Sequence, residues 1–203
     1  LSACKKNKVK KLIYASSSSC YGIPKKYPIN EKAPIDTKYP YALTKYLAEE
    51  LILHWAKVYK MKNISLRFFN TYGPSQSDDF VVSRFINKAL NNEDICIYGD
   101  GKQSRTFLYI NDNIDFTMKI ISEDLLINDT INIGNNKMIE IKELAKIIKK
   151  VLKSKSKIKY IEPLKEGDMS RRQPDISKML KLYKNDLTGI ESGVMNIYRS
   201  LKR

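Results

Sequence analysis

The chain has 203 residues, 42% of them hydrophobic, and a formal net charge of +15. That suffices for one sizeable domain, or one and a half, with a real core, and no apolar run approaches the roughly 18 residues of a membrane span. Cys4, Cys20 and Cys96 are widely spaced and His54 is the lone histidine, which excludes a disulfide framework and zinc-like spacing and points to reduced thiols in a cytoplasmic protein.

The opening LSACKKNKVKKLIYASSSS is basic but reaches serines after only a few apolar residues. It fits neither a signal peptide nor a Met-initiated start, so the chain is expected to begin within something larger. KLIYASSS, Lys11 to Ser18, predicts a buried strand running into a loop, which Gly22, Pro24, Pro28 and Pro34 punctuate. Pro40 marks the first turn of a helix that runs to about Lys60. At 100° per residue Leu43, Leu47, Leu51 and Trp55 share one broad sector, and Tyr41, Lys45, Ala48 and Ile52 an adjoining one. Glu49, Glu50, Lys57 and Lys60 take the remaining side, so the Tyr41/Lys45 edge is expected to border the buried part.

NISLRFFN (Asn63 to Asn70) predicts a second strand, Val81 to Leu90 a helix, and ICIY (Ile95 to Tyr98) a short strand before a Gly-Asp-Gly turn. RTFLYI (Arg105 to Ile110) reads as one strand and Asp112 to Ile121 as a helix. Thr130 to Gly134, the helix Ile139 to Leu152, and the strand Ile158 to Glu162 follow, then a polar loop from Glu166 to Asp175 and two tail helices. The alternation argues for an α/β fold with a mainly parallel, doubly wound sheet. Such sheets bind ligands at the carboxyl ends of their strands, where Ser16 to Ser19, Asn70 and Tyr72 are expected. Positions i and i+4 of a helix are neighbours, so Tyr41 and Lys45 bring a phenol and an ammonium together there. The positive charge attracts anions, but the lysine-rich run Lys146 to Lys159 is interleaved with Ile, Val and Leu. It reads as an amphipathic helix and strand, and a phosphorylated small molecule suits the excess as well as nucleic acid does.

The blocks YASSSSCYG, YPYALTK, SLRFFNTYGP, YGDGKQSRTFLYIND, INIGN and EGDMSRRQPDI, in this order, resemble the extended short-chain dehydrogenase/reductases, specifically the nucleotide-sugar epimerases and dehydratases. The resemblance implies the C-terminal part of a doubly wound, Rossmann-like parallel sheet with a smaller α/β substrate-binding region. Residues 1–75 and 104–135 would belong to the NAD-binding part, and 76–103 and 136–203 to the nucleotide-sugar part. It also implies NAD as cofactor and a UDP-sugar as substrate, with no nucleic acid and no membrane partner. Tyr41 would be the base on the sugar's 4-hydroxyl, and Lys45 would lower the phenol's pKa and hold the nicotinamide ribose. Ser17 would hydrogen-bond the reacting hydroxyl. Ser16 and Phe69 are placed on the cofactor side, and Asn70, Tyr98, Arg105, Lys165 and Asp168 on the substrate side, where an arginine fork suits the diphosphate.

Two departures shape the expectation. Dehydratases of this family carry Asp-Glu where Ser18 and Ser19 stand, and UDP-glucuronate decarboxylases carry Glu at the Ser19 position, so a UDP-sugar 4-epimerase is preferred and the decarboxylase is the alternative. The family's opening Gly-x-x-Gly-x-x-Gly turn is missing; the eight glycines are scattered. At about 30 residues per βαβ unit, roughly 100 residues of nucleotide-binding half are expected to lie outside this sequence, and the isolated chain is expected to have little activity. A catalytically inactive fragment or binding subunit is the reading from another class. Cys20 is read as packing and His54 as non-catalytic, and a homodimer is expected by analogy.

Overall fold

The computed structural model describes residues 1–123, 125, 128–163 and 170–202. In chain order its elements are α1 (Ser2–Lys6), β1 (Lys11–Ser17), a 3-10 turn (Ser18–Tyr21), α2 (Pro40–Tyr59), β2 (Lys62–Phe68), β3 (Thr71–Tyr72), α3 (Val81–Leu90), β4 (Ile95–Tyr98), β5 (Ser104–Thr106) and β6 (Leu108–Tyr109). After these come α4 (Ile110–Ser122), β7 (Asp129–Ile133), β8 (Met138–Glu140), α5 (Ile141–Val151), β9 (Ile158–Ile161), β10 (Arg171–Arg172), α6 (Ser177–Leu182) and α7 (Ile190–Ser200). They form two compact units: Leu1–Phe69, Ile114–Gly134 and Pro174–Lys184 make the first, and Asn70–Asn113, Asn135–Gln173 and Asn185–Arg203 the second. Relative to the expected boundaries, 70–75, 104–113 and 135 group with the second unit and 174–184 with the first. The last shift has a visible cause: the buried Asn132 amide donates to the Ile29 and Asp175 carbonyls, tying the 174–184 segment to β7.

In the first unit β1, β2 and β7 form a parallel sheet in that order, with Ile13 opposite Ile64 and Leu66 opposite Ile131. Side chains alternate across a strand. In β2, therefore, Ile64 and Leu66 face one way while Asn63, Ser65 and Arg67 face the other, and all five are buried. Phe116 and Ile120 of α4 are fully buried too, Phe116 meeting Tyr183 edge-on with ring centres 6.0 Å apart.

Helix α2 departs from its expected rotation. Leu43, Leu47 and Leu51 are 43%, 55% and 59% exposed, whereas Ala42, Glu49, Ile52 and Ala56 are buried. Pro40 opens the helix as expected, and Lys60 closes it in the left-handed conformation. No helix among the described residues is long and apolar enough to cross a membrane.

The second unit is built on one apolar cluster. Val82, Phe85, Ile86 and Ala89 of α3, Ile95 and Ile97 of β4, Leu144, Ala145 and Ile148 of α5, and Val194 and Ile197 of α7 are packed together. Strand β4 pairs in parallel with β9. RTFLYI is not one strand. Phe107 turns into the core and splits it, so that β5 pairs with β10 and β8 while β6 pairs with β3. The helix expected from Ile139 begins only at Ile141, because Met138–Glu140 is drawn into an antiparallel ladder with β5.

Gly193 on α7 lies against the Tyr72 ring, and a Cβ there would strike the phenol oxygen. That hydroxyl is buried with no hydrogen-bond partner among the described residues, and burial raises its pKa above the ordinary tyrosine range. Gly193→Ala is therefore expected to cost about 1–3 kcal/mol by overpacking. Tyr72→Phe, which removes the oxygen, is expected to be near neutral alone and to recover most of that loss in the double variant. Chemical denaturation of the four proteins checks this; additive effects would contradict it.

Candidate active site

Strand β1 stops at Ser17 because the serine caps the 3-10 turn. Its hydroxyl oxygen accepts from the Ser19 amide at 3.1 Å and from the Ser19 hydroxyl at 2.8 Å. Ser16, one residue earlier, points to the opposite side and donates to the buried Glu49 carboxylate. Beside this strand end Lys45 of α2 donates to the Ala15 carbonyl at 2.7 Å. Its ammonium stands 5.3 Å from the centre of the Tyr14 ring and 5.8 Å from that of Tyr41. The Tyr14 phenol is pushed up by burial first, then by the negative charge of Glu49. Tyr41 is 58% exposed, so four of the residues singled out in the sequence, Ser16, Ser17, Tyr41 and Lys45, cluster around the end of β1 and the start of α2. Phe69, the fifth in this unit, is 3% exposed and packs on Tyr21 with ring centres 6.2 Å apart. It offers little surface to a ligand.

Beneath the cluster is a buried polar network that the sequence reading missed. Arg67 donates from Nε to both Glu49 oxygens at 3.0 and 3.1 Å, and from Nη2 to Oε2 at 2.6 Å. Its Nη1 donates to the Tyr21 hydroxyl at 3.0 Å, which donates onward to Asn132 Oδ1 at 2.7 Å. Burial works against the Arg67 charge, but the Glu49 hydrogen bonds and Tyr21 outweigh it, leaving the guanidinium more firmly protonated than usual. Burial likewise pushes the Tyr21 phenol up to about 12, against the opposing pull of Arg67.

Glu49 had been placed with Glu50 on the solvent side; it is 5% exposed, as is Arg67. The signal that could have found it is Arg67 itself. An arginine inside an otherwise buried strand requires a counter-ion, and Glu49 continues the row Tyr41, Lys45 at the next i+4 step. Cys20 is a packing residue: its buried thiol donates to the Ala42 carbonyl at 3.7 Å, and its pKa is raised by burial. His54 is exposed and bonds through Nδ1 to the Glu50 carbonyl at 2.8 Å.

In the second unit Asn70, Tyr98 and Arg105 line one cavity of about 370 Å³. The Asn70 amide donates to the Thr106 carbonyl at 3.2 Å, and Arg105 Nη1 to the Ser104 carbonyl at 2.8 Å. Arg84, Gln103 and Phe80 also line it and were not singled out in the sequence. Arg84 follows Phe80 by four residues at the start of α3, which was the available clue. Lys165 and Asp168 lie outside the described residues.

Residues 1–134 match the model of the NAD dependent epimerase/dehydratase family. The chain belongs to that family. Among its relatives, the uncharacterized UDP-glucose epimerase YtcB of Bacillus subtilis (strain 168) is 30% identical over 97% of this chain and 62% of its own length. UDP-glucuronic acid decarboxylase 1 of Danio rerio is 34% identical over 83% of this chain and 41% of its own. Among solved structures, the UDP-N-acetylglucosamine 4-epimerase from Methanobrevibacter ruminantium M1, in complex with UDP-N-acetylmuramic acid, superimposes with a TM-score of 0.90 at 32% identity. That superposition covers 98% of this chain and 66% of the other. The chain thus spans less than two thirds of the length of the first relatives it matches. The family's Rossmann-like α/β architecture agrees with the parallel β1-β2-β7 sheet.

Proposed function

We propose that this epimerase/dehydratase family member is the catalytic part of an NAD-dependent UDP-sugar 4-epimerase. The observation that carries the reading is the arrangement at the end of β1: an exposed phenol, Tyr41, with Lys45 one turn along the same helix and Ser17 at the strand end. An ammonium has three donors, and Lys45 spends one on Ala15. The others, with the exposed Tyr41, fit the ribose and nicotinamide end of NAD. When bound, NAD supplies the reversible oxidation of the sugar's 4-carbinol. Tyr41, as phenolate, takes the proton of the 4-hydroxyl and is left a neutral phenol, Lys45 balances the negative charge that the phenol oxygen carries beforehand, and Ser17 orients the hydroxyl. Reduction of the resulting 4-keto sugar on its other face completes inversion at C4. Taken by itself, the cavity of the second unit suits a nucleoside diphosphate, with Arg105 and Arg84 as forks for phosphate oxygens and Tyr98 as an aromatic face for a base.

The likeness to UDP-glucuronic acid decarboxylase 1 supports a second reading, decarboxylation of a UDP-glucuronate. Against it, Ser17 to Ser19 present hydroxyls and no carboxylate. The complete protein, incubated with NAD and a panel of UDP-sugars, is expected to give C4-inverted products by NMR. Carbon dioxide release from UDP-glucuronate would favour the second reading, and binding without turnover a non-catalytic subunit. The same proposal has the exposed Leu43, Leu47 and Leu51 row of α2 covered by a second copy; sedimentation of the complete protein as a monomer would refute that.

A further inference from the structure

Within one chain, the rotation of α2 leaves its leucine row unburied. At 100° per residue, the row Leu43, Leu47, Leu51 lies about 180° from the row Lys45, Glu49, Ile52, Ala56. Burying apolar area would turn the leucines inward, yet they are the exposed row. The inward face carries two alanines, one isoleucine and a carboxylate. Within one chain, the side-chain bonds that hold this rotation are polar. Lys45 reaches the Ala15 carbonyl on one residue of β1, and Glu49, one turn later, accepts from Ser16 on the next. Arg67 of β2 closes on the same carboxylate from Nε and Nη2. Of these attachments only the one at Glu49 is buried and two-pronged, and a guanidinium–carboxylate fork tolerates little change in angle.

We infer that the buried Glu49–Arg67 pair is the positioning element of the acid–base site, locking the rotation of α2 so that Lys45 stays on the Ala15 carbonyl and Tyr41 stays at the end of β1. The inference deepens the proposed function and rests on its reading of Tyr41 and Lys45. Glu49 is not an acid or base in it: both carboxylate oxygens are taken up by Ser16 and Arg67, away from solvent. Its action is entirely through the helix.

The test uses the complete protein and two readouts. Glu49→Gln keeps the side-chain volume and removes the charge; Arg67→Lys keeps the charge and removes the fork. The first readout is the split between kcat and KM for the UDP-sugar that the wild type converts. The second is competitive acylation of lysine amines, read by mass spectrometry with the exposed Lys57 as internal reference, which needs no turnover. Glu49→Gln is expected to lower kcat about 10–100-fold, the scale of a small misplacement of reacting groups, with KM little changed. Acylation of Lys45 relative to Lys57 is expected to rise several-fold. Arg67→Lys is expected to shift both in the same direction and carries the test if Glu49→Gln does not fold, which acylation of all lysines alike would reveal. A folded variant that loses melting temperature while Lys45 acylation stays at the wild-type level would overturn the inference, whatever happens to kcat. Should the wild type convert no sugar while Lys45 still becomes reactive in Glu49→Gln, the positioning role stands and the proposed function falls.

Discussion

Replacing Tyr41 by phenylalanine in the complete protein is expected to lower kcat by roughly 10²–10⁴-fold, the range for loss of a positioned acid–base group, and to leave the unfolding free energy within about 0.5 kcal/mol. The two halves of this expectation come from different observations. Tyr41 is 58% exposed, and the hydrogen bond recorded at that residue runs from Thr44 to its backbone carbonyl. The phenol oxygen thus has no partner in the described fold whose loss would cost stability. In the proposed chemistry it has one task, accepting the proton of the sugar's 4-hydroxyl, which phenylalanine cannot do. NMR-followed turnover beside a urea titration separates the two. Activity near the wild-type level would remove Tyr41 from the mechanism, and a large loss of stability would mean that the hydroxyl is structural. Lys45 gives a less clean experiment, because its ammonium also fastens α2 to β1 at Ala15.

The legibility of these elements follows from what each one depends on. Val81–Leu90 and Ile95–Tyr98 fall where periodicity placed them, since the apolar face of α3 and the alternation of β4 are properties of the segments themselves. RTFLYI was misread because its six residues serve two ladders and a core. The split at Phe107 depends on where β3, β8 and β10 come to lie, which no local pattern records. Ile139 and Glu140 were absorbed into the following helix for the same reason. Of the proposed site, Tyr41, Lys45 and Ser17 were singled out because ordered motifs marked them. Glu49 escaped because a helical wheel ranks side chains by hydrophobicity and knows nothing of the arginine facing it. On that ranking the leucines of α2 should be inside. They are outside, and the face of α2 turned to β2 carries instead the carboxylate that pairs with Arg67.

Arg67→Met supplies the second large expected effect, on stability. Methionine fills much of the volume of the arginine stem but leaves the Glu49 carboxylate buried, with Ser16 as its one remaining hydrogen-bond partner from the network. An uncompensated buried charge of this kind costs about 3–5 kcal/mol, and the stranded Tyr21 hydroxyl, which would keep its bond to Asn132, adds little. Because both Glu49 and Arg67 are 5% exposed, salt screening should not soften the loss. Glu49→Leu in the Arg67→Met background removes the stranded charge and is expected to return most of the stability, since a buried pair replaced by packed apolar groups is often neutral or better. The double variant should therefore be more stable than Arg67→Met alone, giving a coupling energy of about 2–3 kcal/mol of the size seen for directly interacting residues. Urea titrations of the wild type, both single variants and the double variant measure it. If the single losses simply add, the pair is not a unit. If the stabilised double variant still converts its sugar at the wild-type rate, with a leucine side chain in place of the carboxylate, the rotation of α2 is set by something other than Glu49.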